Sequence, residues 1–227
     1  IELDIEALSL PEPTPLRWNA QKEMARLAED AGFDSLWLPD HMFGVWDGKT
    51  VGAWECWSIL AAVAAVTERV ALGTLVLATS FREPALLAKM ADTVDEISGG
   101  RLILGLGAGW FEAEYRAFGF PYDHRASRFE EAFTIIRTLL REGKIDFDGT
   151  YYQARDCELL PRGPRPHGMP FMIGTRGPRM MRLTAQHAEM WNAWVVSKSN
   201  TPSEALAKLN ADLDAACHDV GRDPATL

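Results

Sequence analysis

Residues 32–41 read GFDSLWLPDH, and the fold turns on how they are interpreted. Ser35–Leu38 is a short apolar run bounded by turn signals, the pattern of a buried strand. Pro39, Asp40 and His41 follow at its carboxyl end. In a parallel α/β protein that end is where ligands bind and catalytic groups project. A carboxylate beside the one side chain that ordinarily titrates near neutrality is a candidate catalytic pair. The same residues also describe an aspartate that opens a turn and a histidine that packs next to it. The rest of the chain decides between the two.

Upstream, Ile1–Ile5 reads as a first strand, followed by a proline-rich loop to Pro15. A helix is predicted over Asn19–Ala31, with Met24, Leu27, Ala28 and Ala31 on one face and Gly32 stopping it. Downstream, a loop with Gly44, Gly48 and Gly52 leads into a nearly all-apolar helix over Glu55–Val66. Val70–Ala78 is a long strand rich in branched residues, and Pro84–Ile97 a helix with proline in its first turn. Gly99 and Gly100 end that helix, and Leu102–Leu106 is a fourth strand. Such alternation predicts right-handed βαβ units and a parallel sheet.

The pattern then loosens. Trp110–Tyr122 is an aromatic-rich connection, and Ser127 with Glu130 reads as a capping box opening a helix to Arg141. Ile145–Gln153 is a hairpin turning at Asp148–Gly149, within a surface excursion around residues 143–168. Pro170–Ile173 is a fifth strand, Pro178–His187 a helix, and Trp191–Val196 a sixth strand. Ser203–Val220 is an amphipathic helix ended by Gly221. No linker divides residues 1–227, so a single domain is expected. An eight-stranded barrel takes about 250 residues. The six units therefore suggest a TIM-type (β/α)8 barrel whose last two strand–helix units are missing from this chain, with an open six-stranded sheet as the alternative.

Composition narrows the function classes. Lys plus Arg number 23 against 32 Asp plus Glu, a net charge of −9. That field repels phosphate backbones and anionic lipid surfaces, so neither nucleic acid nor membrane is an expected partner. Cys56, Cys157 and Cys217 show no CxxC spacing, which fits a reducing cytoplasm. The apolar run Ile59–Val66 is too short to span a bilayer, and no signal-peptide pattern opens the chain. Five histidines without HxH or HExxH spacing give no expectation of a metal. Cys56 reads as a core residue and no GxSxG elbow is present.

Two further strand ends carry chemistry. LGLGAGW, Leu104–Trp110, places Gly105, Gly107 and Gly109 after a strand. A dinucleotide fingerprint would need an acidic residue ending a second strand about 20 residues on, and Glu130 there belongs to the capping box. The glycines do let a flat ring approach the backbone, although simple turn geometry explains them equally well. IGTRGPR, Ile173–Arg179, joins a strand to a helix start at Pro178, and its free N–H groups and arginines suit a phosphate, with an ordinary glycine turn and solvated arginines as the alternative. Among the Phe111–Phe118 aromatics, Glu112 and Glu114 read as residues that cap the pocket or face solvent rather than as a catalytic pair.

Taken in order, AEDAGFDSLWLPDH, TERVALGTLVLATSFREP, SGGRLILGLGAGW, RAFGF, IGTRGPRMMRL and EMWNAW resemble the superfamily of luciferase-like flavin monooxygenases and coenzyme F420-dependent oxidoreductases. The resemblance covers nearly the whole chain. It implies a TIM-type barrel holding FMN or the deazaflavin F420 at the carboxyl face of its strands. Asp40 and His41 would lie beside the ring, with His41 as acid or base and Asp40 fixing its tautomer or binding the ring system. Leu75–Val76 matches a position where this family often has a non-prolyl cis peptide behind the ring. Gly107, Ala108 and Gly109 would contact the cofactor, Gly174, Thr175, Arg176 and Gly177 its phosphate, and Trp194 completes the binding set. Trp110 departs from the family's sugar-phosphate dehydrogenases, which carry an acidic Glu there. The resemblance implies hydride transfer between F420 and a small organic substrate. The alternatives are a two-component FMNH2-dependent monooxygenase served by a flavin reductase, and a non-catalytic flavin-binding barrel. The Glu55–Val66 helix would suit a homodimer interface as well as a core.

Overall fold

A computed structural model describes residues 2–4, 15–195 and 201–227. In chain order its elements begin with β1 (Glu2–Asp4), α1 (Trp18–Asp30), β2 (Ser35–Leu38), β3 (Phe43–Trp46), β4 (Lys49–Gly52) and α2 (Cys56–Ala64). There follow β5 (Ala71–Thr74), β6 (Leu77–Ala78), α3 (Pro84–Ser98), β7 (Leu102–Gly107), α4 (Glu112–Phe118) and α5 (Arg125–Glu142). The last are β8 (Lys144–Asp148), β9 (Gln153–Glu158), β10 (Phe171–Gly174), α6 (Pro178–His187), β11 (Met190–Asn192) and α7 (Pro202–Asp219).

All pairings in the main sheet are parallel, in the order β1-β2-β5-β7-β10-β11, with β6 also on β7. Each strand lies beside its predecessor in the chain, as in a singly wound barrel; a doubly wound sheet would double back. Among the described residues the path runs from β1 to β11 without returning.

The two faces of the strands part company. Leu36, Leu38, Leu72, Leu102, Leu104, Leu106, Phe171 and Ile173 are buried in one core with Leu60 and Val63 of α2, Leu87 of α3, and Phe133 and Ile136 of α5. Each such side chain contributes about 1.5–3 kcal/mol on burial. On the other face the Trp37 indole lies over Gly73 of the next strand, where an added Cβ would stand 2.2 Å from the ring. Its Nε1–H donates to Ser35 Oγ at 2.8 Å.

Between β5 and β6 the chain steps sideways at a cis Leu75–Val76 peptide. Across this break the Thr74 hydroxyl stitches the ladder, donating to the Gly105 carbonyl at 2.8 Å and accepting the Gly105 N–H at 2.9 Å. β6 then resumes against Leu106 and Gly107.

The amino ends of the strands are tied by charged side chains that have turned inward. The Glu29 carboxylate accepts from the N–H groups of Glu68, Arg69 and Val70. Burial alone would raise its pKa; these three donors outweigh that and hold it below the usual carboxylate range. Arg101 donates to the carbonyls of Ser98, Val70, Ala64 and Thr67 and to the Thr67 hydroxyl. Arg165, from the excursion, grips Asp95 and the Leu102 carbonyl.

Several expectations change. The glycine loop at 44–52 is an antiparallel hairpin, β3–β4, and the second hairpin, β8–β9, runs on to Glu158. No capping box opens α5. The helix starts earlier, behind His124 at φ 50°, and Ser127 and Glu130 instead hold Arg179 of α6. The capping box lies on α7, between Thr201 and Glu204. The apolar helix expected over Glu55–Val66 is α2, whose Leu60 and Val63 face the molecule's own core. Ile1, Ile5 and Val196, the outer residues of two expected strands, lie outside the described residues.

Candidate active site

Because the strands are parallel, β2, β6, β7, β10 and β11 all end on one edge, and every predicted site residue falls at or just beyond a strand end. Asp40 follows β2 and is 5% exposed. Its carboxylate accepts the Ala78 N–H at 3.0 Å and takes a bidentate grip from Arg82 at 2.8 and 3.0 Å. Arg82 continues to Glu55 at 2.5 Å, and Glu55 in turn caps the N–H groups of Trp57 and Ser58 at the start of α2. Burial is the largest influence on Asp40 and pushes its carboxyl up, against Arg82 and the Ala78 N–H. Burial also pulls Arg82 down, but the hydrogen bonds and charges of Asp40 and Glu55 lift it above an ordinary arginine, so the guanidinium stays charged. This chain of charges locks the end of β2 to the end of β6.

His41 retains 35% of its side-chain surface, enough to meet a ligand. Its Nδ1 lies 3.0 Å from Oε2 of Glu114. The other oxygen of Glu114 accepts the N–H of Met42 at 2.5 Å and of Phe43 at 3.2 Å. Glu114, rather than Asp40, is thus the carboxylate on Nδ1. Of the two positions expected for Glu114, capping the pocket or facing solvent, the second is corrected: it is 1% exposed.

Glu112 and Glu114 are two positions apart on α4 and cannot share a helix face. Glu112 pairs with Arg116 one turn on, at the surface, while Glu114 adjoins the buried Tyr115.

The loop between β7 and α4 is pinned on both sides. The Tyr115 hydroxyl, shifted upward chiefly by burial, donates to the Ala108 carbonyl at 2.9 Å. Arg125 donates to the Gly109 carbonyl at 2.6 Å and lies 4.3 Å from the Tyr122 ring centre. Tyr122 reaches the Trp110 carbonyl. Gly109 has φ +70°, and a Cβ there would fall 1.8 Å from the Tyr115 hydroxyl, so only glycine fits. Thus held, the rings of Trp110 and Phe111 stand 5.8 and 6.5 Å from the imidazole, edge-on.

Gly107 and Gly174 end the paired strands β7 and β10, with the Val76 side chain between them. A Cβ on either glycine would come within 2.6 or 2.8 Å of Val76 Cγ2. Leu75 and Val76, each half-buried, therefore form an apolar floor where the strands end. The Thr79 and Ser80 hydroxyls just beyond β6 are buried and have no partner among the described residues.

Asp40, His41, Leu75, Val76, Gly107, Ala108, Gly109 and Gly174 thus occupy successive strand ends. Thr175 is held in the sheet edge by Asn192 and Trp191. Arg176 and Gly177 are exposed at the start of α6. Among the described residues Arg176 has no carboxylate partner, while Arg179 is turned to Glu130. Trp194 is 77% exposed beyond β11, at the far end of the strand row from His41.

Among the described residues no helix is long and apolar enough to cross a membrane. A family model described as luciferase-like monooxygenase matches residues 6–227. The F420-dependent glucose-6-phosphate dehydrogenase of Intrasporangium calvum is 35% identical over 168 residues, 71% of this chain and 49% of that protein. The pyrimidine monooxygenase RutA of a Caulobacter species is 32% identical over 214 residues, 90% of this chain and 58% of that protein. The solved structure of coenzyme F420-dependent tetrahydromethanopterin reductase from Methanopyrus kandleri superposes with a TM-score of 0.77 at 21% identity. That match covers 98% of this chain and 61% of the other, and its likeness is one of fold. The chain spans between 49% and 61% of the length of these three proteins.

Proposed function

The chain belongs to the luciferase-like monooxygenase family, and from that premise we propose that it is an oxidoreductase using coenzyme F420 for hydride transfer with a small organic substrate. The observation that carries this reading is His41, partly open at a strand end, held by a buried Glu114 and flanked by Trp110 and Phe111. The surroundings fit a planar, largely apolar ring. Leu75 and Val76 offer a floor, for which the glycines ending β7 and β10 make room, and the hydroxyls of Thr79 and Ser80, unpartnered among the described residues, leave hydrogen-bonding capacity just beyond β6.

When bound, the deazaflavin supplies a carbon that accepts or gives a hydride. His41 holds or releases the matching proton on the substrate, a role worth about 10²–10⁴ in rate. Trp110, itself largely exposed, and Phe111 line the imidazole edge-on, and their apolar faces favour a neutral substrate. Asp40, fastened through Arg82, positions the strand end that carries His41. Arg176 and the first-turn N–H groups of α6 would hold the cofactor phosphate. The name of the relative from Intrasporangium calvum supports F420.

A second reading is an FMNH2-dependent monooxygenase supplied by a flavin reductase, favoured by the similarity to RutA over 90% of this chain. A non-catalytic flavin-binding barrel is the third. Titration of the purified chain with oxidised F420 and, separately, FMN, followed by fluorescence, tests the first against the second. F420 should bind at least about tenfold tighter, a difference near 1.4 kcal/mol. Preference for FMN would overturn the deazaflavin assignment.

A further inference from the structure

We infer that Glu114 is a positioning residue that fixes His41 as the tautomer protonated on Nδ1, leaving Nε2 as the nitrogen that exchanges a proton. The inference rests on the reading of His41 as the proton-handling group, but its geometric basis is independent of any cofactor. A carboxylate accepts hydrogen bonds and donates none. One Glu114 oxygen is engaged by two backbone N–H groups and the other stands 3.0 Å from Nδ1. Nδ1 must therefore bring the hydrogen, and a neutral imidazole has only one to place. Burial of Glu114 to 1% exposure removes competing water and strengthens each of these bonds.

The same side chain joins three parts of the site. It holds the imidazole, the backbone that opens β3, and, through α4, the loop carrying Trp110 and Phe111. Orientation of the ring and its aromatic wall thus depend on one carboxylate, which neither the ring of a cofactor nor the substrate needs to touch.

Glu114→Gln separates this role from simple packing. The amide keeps an oxygen for the Met42 and Phe43 N–H groups and turns its NH2 toward Nδ1, which must then accept. Long-range proton–nitrogen NMR of the full chain with labelled histidine, at a pH where imidazole is neutral, reads the tautomer directly. The His41 signals are assigned by their loss in His41→Ala. Wild type should show a protonated Nδ1 and an unprotonated Nε2, and Glu114→Gln the reverse, with a melting curve confirming that the variant is folded. A wild-type spectrum with the proton on Nε2 overturns the inference, whatever the variant does. So does a folded Glu114→Gln with an unchanged pattern. Full turnover in His41→Ala would instead refute the role of His41 and leave the tautomer assignment standing.

Discussion

At the scale of single residues, the site is built by carboxylates that face inward. Asp40 is the most exacting: it is 5% exposed, and its charge is matched by one guanidinium and one N–H. Removing Arg82 leaves that charge buried and unpaired. Arg82→Met should therefore cost about 3–5 kcal/mol in urea denaturation. The double variant Arg82→Met with Asp40→Asn should recover part of it; equal stabilities for the two would show that the pair is uncoupled. Asp40–His41 was legible as the close of a strand because it ends an apolar run. Glu114 was not legible as an inward-facing residue, because the helix that carries it is short, and an aromatic-rich connection hides which of its two glutamates turns inward.

At the scale of elements, the parallel strands were legible as apolar runs closed by turn residues. The β3–β4 hairpin was not. β4 is exposed at three of its four positions, so no alternation of apolar residues betrays it, and Gly44, Gly48 and Gly52 look like an open loop. Ser127 and Glu130 have capping-box spacing but meet Arg179 across helices, a tertiary contact that local sequence does not encode.

Two predictions belong to this scale. Glu29 fastens the turn before β5, and its pKa is lowered in the folded chain. Its contribution is present above the unfolded carboxylate value, near 4.3, and is lost as pH falls through the lower folded value. Glu29→Gln should lower stability by about 1–3 kcal/mol at pH 7, with the gap to wild type closing below about pH 4. A gap that persists in acid would contradict the assigned role. At the start of α6, Arg176→Ala should weaken F420 binding at least about tenfold, measured by fluorescence titration. Equal affinity would remove Arg176 from the phosphate site.

At the scale of the molecule, strand order follows chain order, so the ends of β2, β6, β7 and β10 form one row. A ligand bound along that row would lie against the strand ends that carry His41 and Val76. The amino ends, by contrast, are closed by Arg101, Glu29 and Arg165, which serve stability. The common row of carboxyl ends was foreseeable from the alternation of strands and helices. The lining of the substrate side was not, since it depends on how the β3–β4 and β7–α4 loops fold back on His41.

His41 is proposed to act at the reacting atoms. The most direct measurement compares wild type and His41→Ala for F420 affinity and for oxidation of reduced F420 by an acceptor that the wild type turns over. Affinity should stay within about tenfold and turnover should fall by at least about 10². Undiminished turnover in the variant would contradict the proposed role of His41.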